Sequence, residues 1–280
     1  MKIRHRISYY KEDIGVKFRK FLIENNAKII DEGSNLCIAH VFENEQNKKE
    51  LYELLGKEDL FSYIEMFYSK REMEQAEWFF IHPKFRWEYP QPEDNSMYRS
   101  VTYDNSDFCN VCGSGLKQIG EFRIKKSPDW GTRNFLKINW IEDEIFISDY
   151  AKRLIEKSDL NGFNIANVLN SKSLSNFENI FQLQVNNFLE IPCIANMEQA
   201  AKEINKCKKC GVKKYILLGR EYICHREAFD NLSVDIVKSK EVFGAGHICS
   251  RDIFISKKFR KLILQNSMER GIEFHPVFYI

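Results

Sequence analysis

The sequence predicts an α+β protein: a small N-terminal α/β unit (1–68) followed by two related, β-rich segments (69–170 and 171–280), each with a helix and one C-x-x-C-G turn. Three observations carry this. Strand-like and helix-like stretches alternate as β-α-β-β-α-β over the first 68 residues. The stretch Glu144-Ile-Phe-Ile-Ser148 returns as Asp252-Ile-Phe-Ile-Ser256. Two cysteine turns, Cys109-Asn-Val-Cys112-Gly113 and Cys207-Lys-Lys-Cys210-Gly211, stand one in each of the later segments.

Taken in order, Ile3–Tyr9 reads as a strand, and Ile14, Phe18, Phe21 and Leu22 fall on one helical face. Two short strands follow, Ala27–Ile30 and Leu36–Phe42, parted by the turn Asp31-Glu-Gly-Ser34. A second helix buries Leu51, Leu54 and Leu55, and Tyr63–Tyr68 closes the set. This order is that of a ferredoxin-like sandwich. Ser69 and Glu72 then form a capping box, which opens a helix carrying Met73, Ala76 and Phe80 and ending at Pro83. The aromatic, proline-bearing stretch Phe85-Arg-Trp-Glu-Tyr-Pro-Gln-Pro92 that follows either faces a partner or packs over the first knuckle.

From the first knuckle onward the chain repeats. Each Ile-Phe-Ile-Ser strand leads into a basic amphipathic helix, with Ser148 or Ser256 at the N-cap position. Each helix runs into a glycine and a strand, Gly162-Phe-Asn-Ile165 and Gly271-Ile-Glu-Phe274. Upstream, Lys126-Ser127 echoes Lys238-Ser239. Between the copies, a linker precedes a strand over Phe177–Leu189, and a helix over Met197–Lys206 is expected to deliver Cys207.

Each knuckle points two thiolates the same way, and the trailing glycine takes the positive φ that turns backbone N–H groups toward sulfur. Four thiolates from two such turns make a tetrahedral zinc site from Cys109, Cys112, Cys207 and Cys210, with one metal per chain. The 94 residues between Cys112 and Cys207 (113–206) far exceed a local zinc ribbon, so a shared metal would tie distant parts of the chain together. A pseudo-symmetric pair meeting at one ion accounts for that spacing. The alternatives are turns that have lost their metal, and redox chemistry, which needs a helix starting at the first cysteine. Lys206, Lys208, Lys209, Lys213 and Lys214 around the second knuckle offset the charge of a tetrathiolate, or form a solvated face, or bind phosphate.

An apolar fraction of 44% with 14% aromatics excludes a disordered chain. The balance of 42 basic against 40 acidic residues argues against a dedicated nucleic-acid binder. No apolar run is long enough for a membrane span, and the start of the chain lacks the apolar core of a signal peptide. A cytoplasmic protein with reduced thiols is expected. The phosphate-loop, dinucleotide, zinc-protease and nucleophile-elbow motifs do not occur, and none of the six histidines pairs with a carboxylate at a recognised spacing. Phe243-Gly-Ala-Gly-His247 reads as a plain strand connection, the alternative being a turn that approaches a ligand closely, with His247 and Cys249 as minor candidates for an extra metal ligand. No catalytic residue is assigned, and a non-enzymatic protein is expected.

The two knuckles, the Ile-Phe-Ile-Ser repeat and the closing Gly271-Ile-Glu-Phe-His-Pro-Val277 together resemble the double-CXXCG motif family of bacterial proteins, over roughly residues 60–280. Members of that family include immunity proteins, encoded beside toxins delivered to neighbouring cells. The resemblance implies a cytoplasmic protein that binds one cognate toxin and neutralises it by steric occlusion. It gives Cys109, Cys112, Cys207 and Cys210 the role of paired-knuckle cysteines, with zinc as the implied metal. It names no toxin-contacting residue. The alternative is a zinc-stapled nucleic-acid-binding or regulatory protein using the Lys206–Lys214 stretch.

Overall fold

The computed structural model describes residues 1–31, 33, 35–57, 60–204, 206–217 and 222–280. Glu32 and Ser34 of the expected turn, and Asn205 of the expected Met197–Lys206 helix, lie outside the described residues. The fold is α+β, and the chain divides into two compact units: Met1–Gln75, and Ala76–Leu217 with Tyr222–Ile280. Among the described residues, no helix is long and apolar enough to cross a membrane.

The first unit runs β1 (Lys2–Tyr10), α1 (Val16–Glu24), β2 (Lys28–Asp31), β3 (Leu36–Phe42), α2 (Lys48–Lys57), β4 (Phe61–Phe67) and α3 (Lys70–Gln75). Its sheet has the order β2-β3-β1-β4, with every neighbouring pair antiparallel. Along β1, Ile3, His5, Ile7 and Tyr9 are buried and alternate with more open residues, the period of a sheet covered on one face. Phe18, Phe21 and Leu22 of α1 and Leu51 and Leu54 of α2, at helical spacing, close one core with Ile7, Tyr9, Ala39 and Val41.

The capping box forms as its residues dictate: the Glu72 N–H donates to Ser69 Oγ at 3.2 Å, and the Ser69 N–H donates to Glu72 Oε2 at 2.7 Å. The helix it opens stops at Gln75 rather than at Pro83. Trp78–Pro83 is a strand, β5, and this corrects the helix expected to carry Ala76 and Phe80. The run Trp-Phe-Phe-Ile suits a sheet interior, and pairing on both edges outweighs the helical spacing of Met73, Ala76 and Phe80.

The second unit continues with β6 (Arg86–Trp87), α4 (Tyr98–Thr102), β7 (Tyr103–Asp104), β8 (Lys117–Gln118), β9 (Phe122–Ile124), β10 (Phe135–Ile138) and β11 (Ile145–Ser148). Then come α5 (Asp149–Glu156), β12 (Asn164–Asn170), β13 (Asn176–Gln184), α6 (Met197–Ala200), β14 (Ala201–Ile204) and β15 (Lys214–Leu217). The chain finishes with β16 (Ile223–Cys224), β17 (Ile236–Lys238), β18 (Ile253–Ser256), α7 (Lys257–Gln265), β19 (Ile272–Pro276) and β20 (Phe278–Tyr279). The helix expected over Met197–Lys206 is reduced to α6, because Ala201–Ile204 pairs with Lys214–Leu217 across the second knuckle.

The two Ile-Phe-Ile-Ser strands hold matching places in two sheets. One sheet has the order β6-β10-β11-β13-β12-β9, the other β17-β18-β5-β19. Each such strand lies between the strand that precedes it and an inserted strand, and beyond the inserted strand lies the one that follows the helix. In the first sheet the inserted strand is β13; in the second it is β5, drawn from before the first knuckle. Phe146 and Phe254 are fully buried in separate clusters. The N-caps form in both copies: Ser148 Oγ accepts from the Ala151 N–H and Ser256 Oγ from the Phe259 N–H. Each serine hydroxyl also donates to the residue before the partner strand, Asn134 at 2.6 Å and Asp235 at 2.7 Å.

Register corrects one equivalence read from sequence. Val237 faces Phe254 and Leu136 faces Phe146, so Lys137, and not Lys126, is the counterpart of Lys238. Both lysines are buried. Lys238 Nζ reaches Glu144 Oε1 at 2.5 Å, from the second copy to the acid ahead of the first Ile-Phe-Ile-Ser strand. The reciprocal acid is Asp252. Burial pushes its carboxyl up to about 6, against the opposing pull of the Tyr222 hydroxyl and the Lys137 ammonium.

Candidate metal centre

Each knuckle is the tip of a two-stranded antiparallel ribbon, β7-β8 for the first and β14-β15 for the second. The backbone closes both turns in the same way. The Cys109 N–H donates to Ser114 O at 2.8 Å and the Gly113 N–H to Cys109 O at 2.8 Å; the Cys207 N–H donates to Val212 O at 2.9 Å and the Gly211 N–H to Cys207 O at 2.9 Å. Gly113 and Gly211 have φ of +83° and +77°, a region that costs a Cβ-bearing residue energy.

The two tips converge. Cys109 Sγ lies 3.7 Å from Cys207 Sγ, Cys112 Sγ lies 3.4 Å from Cys210 Sγ, and all four sulfurs are within 4.8 Å of one another. Four sulfurs around one tetrahedral ion at the usual bond length stand about 3.8 Å apart. The cysteines are free thiols with no disulfide among them, and the group could hold a metal ion. Neither His247 nor Cys249 belongs to it. Cys109, Cys112 and Cys207 are buried and Cys210 is exposed.

The surroundings favour the thiolate at two of the four cysteines, Cys109 and Cys210. Backbone N–H groups of Cys112 and Val111 face Cys109 and lower its pKa. The Ser114 hydroxyl, 3.4 Å from Cys210 Sγ, and the Val212 N–H together draw Cys210 down to about 6. Burial pushes the Cys112 thiol up to about 11, although Ser114 Oγ sits 3.1 Å from its sulfur. A bound cation would deprotonate all four.

Two features escaped the sequence. Lys214 is no surface lysine: it is buried, and its ammonium donates to Cys112 O at 2.9 Å, Gly246 O at 2.6 Å and Ile248 O at 2.8 Å. One side chain of the second ribbon thus fastens the first knuckle and a third segment. That third segment is the Phe243–Cys249 loop, which includes the Phe243–His247 stretch read above as a plain connection. It docks so closely that a Cβ on Gly113 would stand 2.0 Å from His247 O. Only its density of glycine hinted at close packing. Of the other lysines near this knuckle, Lys209 bonds Asn110 across the two tips at 2.8 Å, while Lys206 and Lys208 are exposed.

The centre borders a cleft of about 1130 Å³ that Gly113, Ser114, Cys210 and His247 help to line. The Glu144–Lys238 pair also borders it, and Tyr89 and Trp140 line it with rings 4.7 Å apart. Trp140 is half-exposed with φ of +69°, where a turn normally takes glycine. The Phe85–Tyr89 stretch is divided: Phe85 and Trp87 pack on the six-stranded sheet, while Tyr89 stays open.

The histidines are less isolated than their spacing suggests. His5 bonds Ser62 Oγ at 2.8 Å and Glu43 Oε2 at 3.0 Å, a serine–histidine–carboxylate chain assembled from β1, β4 and the end of β3. Its imidazole is fully buried with both nitrogens occupied, the condition of a satisfied core histidine. No family model and no curated protein matches the chain.

Proposed function

We propose that the protein is a cytoplasmic, non-enzymatic immunity protein of the double-CXXCG type, which neutralises a cognate bacterial toxin by covering it. The observation that carries this reading is the convergence of both knuckles of the paired motif on one point. Zinc suits the four-sulfur donor set, and with all four positions taken by cysteine such an ion serves structure rather than turnover. Cys109, Cys112, Cys207 and Cys210 hold it; Ser114, the knuckle N–H groups and Lys214 steady it. The matching strand orders, N-caps and buried lysines support two related halves pinned at their hairpin tips. The order β2-β3-β1-β4 supports a ferredoxin-like N-terminal unit. Half-exposed Tyr89 and Trp140 beside the cleft are the kind of aromatic anchors a protein partner uses.

The test is co-expression with the secreted polypeptide encoded beside the gene. Rescue of growth, together with a stable one-to-one complex, supports the reading; growth arrest that this protein does not relieve contradicts it. The alternative use of Lys206–Lys214 as a nucleic-acid patch loses support from Lys214, whose ammonium is spent on three carbonyls.

A further inference from the structure

The face of the first unit's sheet that α1 and α2 leave uncovered carries a pattern the knuckles do not explain. Alternation along the strands sends Lys2, Arg4, Arg6 and Tyr10 of β1 to that face, with Lys28 of β2, His40 and Phe42 of β3, and Tyr63 and Phe67 of β4. The four aromatic residues Tyr10, Phe42, Tyr63 and Phe67 are 42–52% exposed, far more than apolar rings in a finished core. Phe42 and Phe67 lie side by side at 6.1 Å, and the Arg4 guanidinium sits 4.7 Å from the Phe67 ring centre.

Charge on this face is mostly positive, with Glu65 beside Arg4 as its acid. Arg4 is paired with Glu65 at 2.8 Å. Among the described residues, Lys2, Arg6 and Lys28 make no ion pair. Burial and the charges of Arg4, Arg6 and Lys28 lower the pKa of His40 in the middle of the sheet, against the opposing pull of Glu65. The whole-chain charge of +2 conceals this local excess.

We infer that this sheet face binds single-stranded nucleic acid, with bases stacked on Phe42, Tyr63 and Phe67 and phosphates held by Lys2, Arg6 and Lys28. Exposed rings interleaved with unpaired cations on a one-sided four-stranded sheet offer what an unstacked strand needs, π-faces and a cationic track. A protein partner would find fewer reasons for three unpaired cations here. A duplex hides its base faces and cannot use the rings. The inference uses no residue of the Lys206–Lys214 stretch or of the sulfur cluster, so it stands apart from the immunity reading.

The experiment is fluorescence anisotropy of the full chain with 5′-labelled rU12, dT12 and a 12-base-pair duplex at 50 and 200 mM salt. Saturable binding of either single strand is expected, at least tenfold tighter than the duplex and weakening several-fold at the higher salt. The rU12 and dT12 arms show whether the 2′-hydroxyl contributes. F67A and Y63A should each weaken binding about tenfold, and K28E more, with the melting temperature unchanged because these side chains are on the open surface. Absence of binding at 50 mM salt, equal affinity for duplex, or affinity unmoved by F67A and K28E would overturn the inference. So would self-association abolished by F67A in place of nucleic-acid binding, which would make the face a contact between copies.

Discussion

Replacing Lys214 with methionine keeps the length of the stem and removes the ammonium. Three carbonyls, those of Cys112, Gly246 and Ile248, lose a donor at 2.6–2.9 Å. Each buried acceptor left unmet costs about 1 kcal/mol or more, and the relief of no longer burying a charge offsets the rest, so a net loss of about 3 kcal/mol is expected. For a unit of this size about 1 kcal/mol moves the melting temperature by roughly 2–4 °C, which gives a drop of roughly 6–12 °C. The same change releases the carbonyl of the ligand residue Cys112 and frees the loop that covers Gly113. Metal affinity should therefore fall by about 10–100-fold, the usual effect of losing a group that supports a ligand. Thermal melts and competition with a chromophoric chelator measure both, with Lys208→Met as the exposed control. A K214M protein that melts like the parent and holds metal equally well would refute the role given to this side chain.

Other outcomes follow from the same structure. Cys109→Ser and Cys210→Ser should both lose the metal and destabilise the fold by several kcal/mol, read by metal content and melting temperature, despite the difference in their exposure. Gly113→Ala should be much more harmful than Gly211→Ala in the same melts: both need positive φ, but only the first drives a Cβ into His247 O, while the second meets nothing closer than the flexible end of Lys206. Lys238→Met should cost about 3–5 kcal/mol by stranding Glu144, and adding Glu144→Gln should recover much of it in a double-mutant cycle. Asp252 predicts a pH signature. Its folded pKa is raised to about 6, above the unfolded value, so its contribution is fully present below about pH 4 and is lost as pH rises through 6. Asp252→Asn should therefore raise the melting temperature at pH 8 and lose that advantage by pH 4; an equal effect at both would show that the carboxyl does not titrate as described.

Local chemistry was the legible part of the chain. A C-x-x-C-G turn is defined by five consecutive residues, and the same holds for the Ser69–Glu72 box and the serine caps of α5 and α7, so each formed as its residues dictate. What the sequence hid was decided by distant partners. Trp78–Pro83 has helical spacing with Met73, yet β18 and β19 claim it from both sides. Ala201–Ile204 has no strong strand preference, and becomes a strand because β15 returns antiparallel past the second knuckle. Lys126 resembles Lys238 in its neighbours, but register selects Lys137. Lys214 looks like its exposed neighbours until the first knuckle and the Phe243–Cys249 loop arrive from either side to supply three carbonyls.

The central claim is that both hairpin tips grip one ion. Elemental analysis with X-ray absorption at the metal edge tests it on protein purified without chelator. One zinc per chain with four sulfur neighbours at about 2.3 Å is the predicted result. Metal-free folded protein, or a zinc shell containing nitrogen or oxygen, would contradict it.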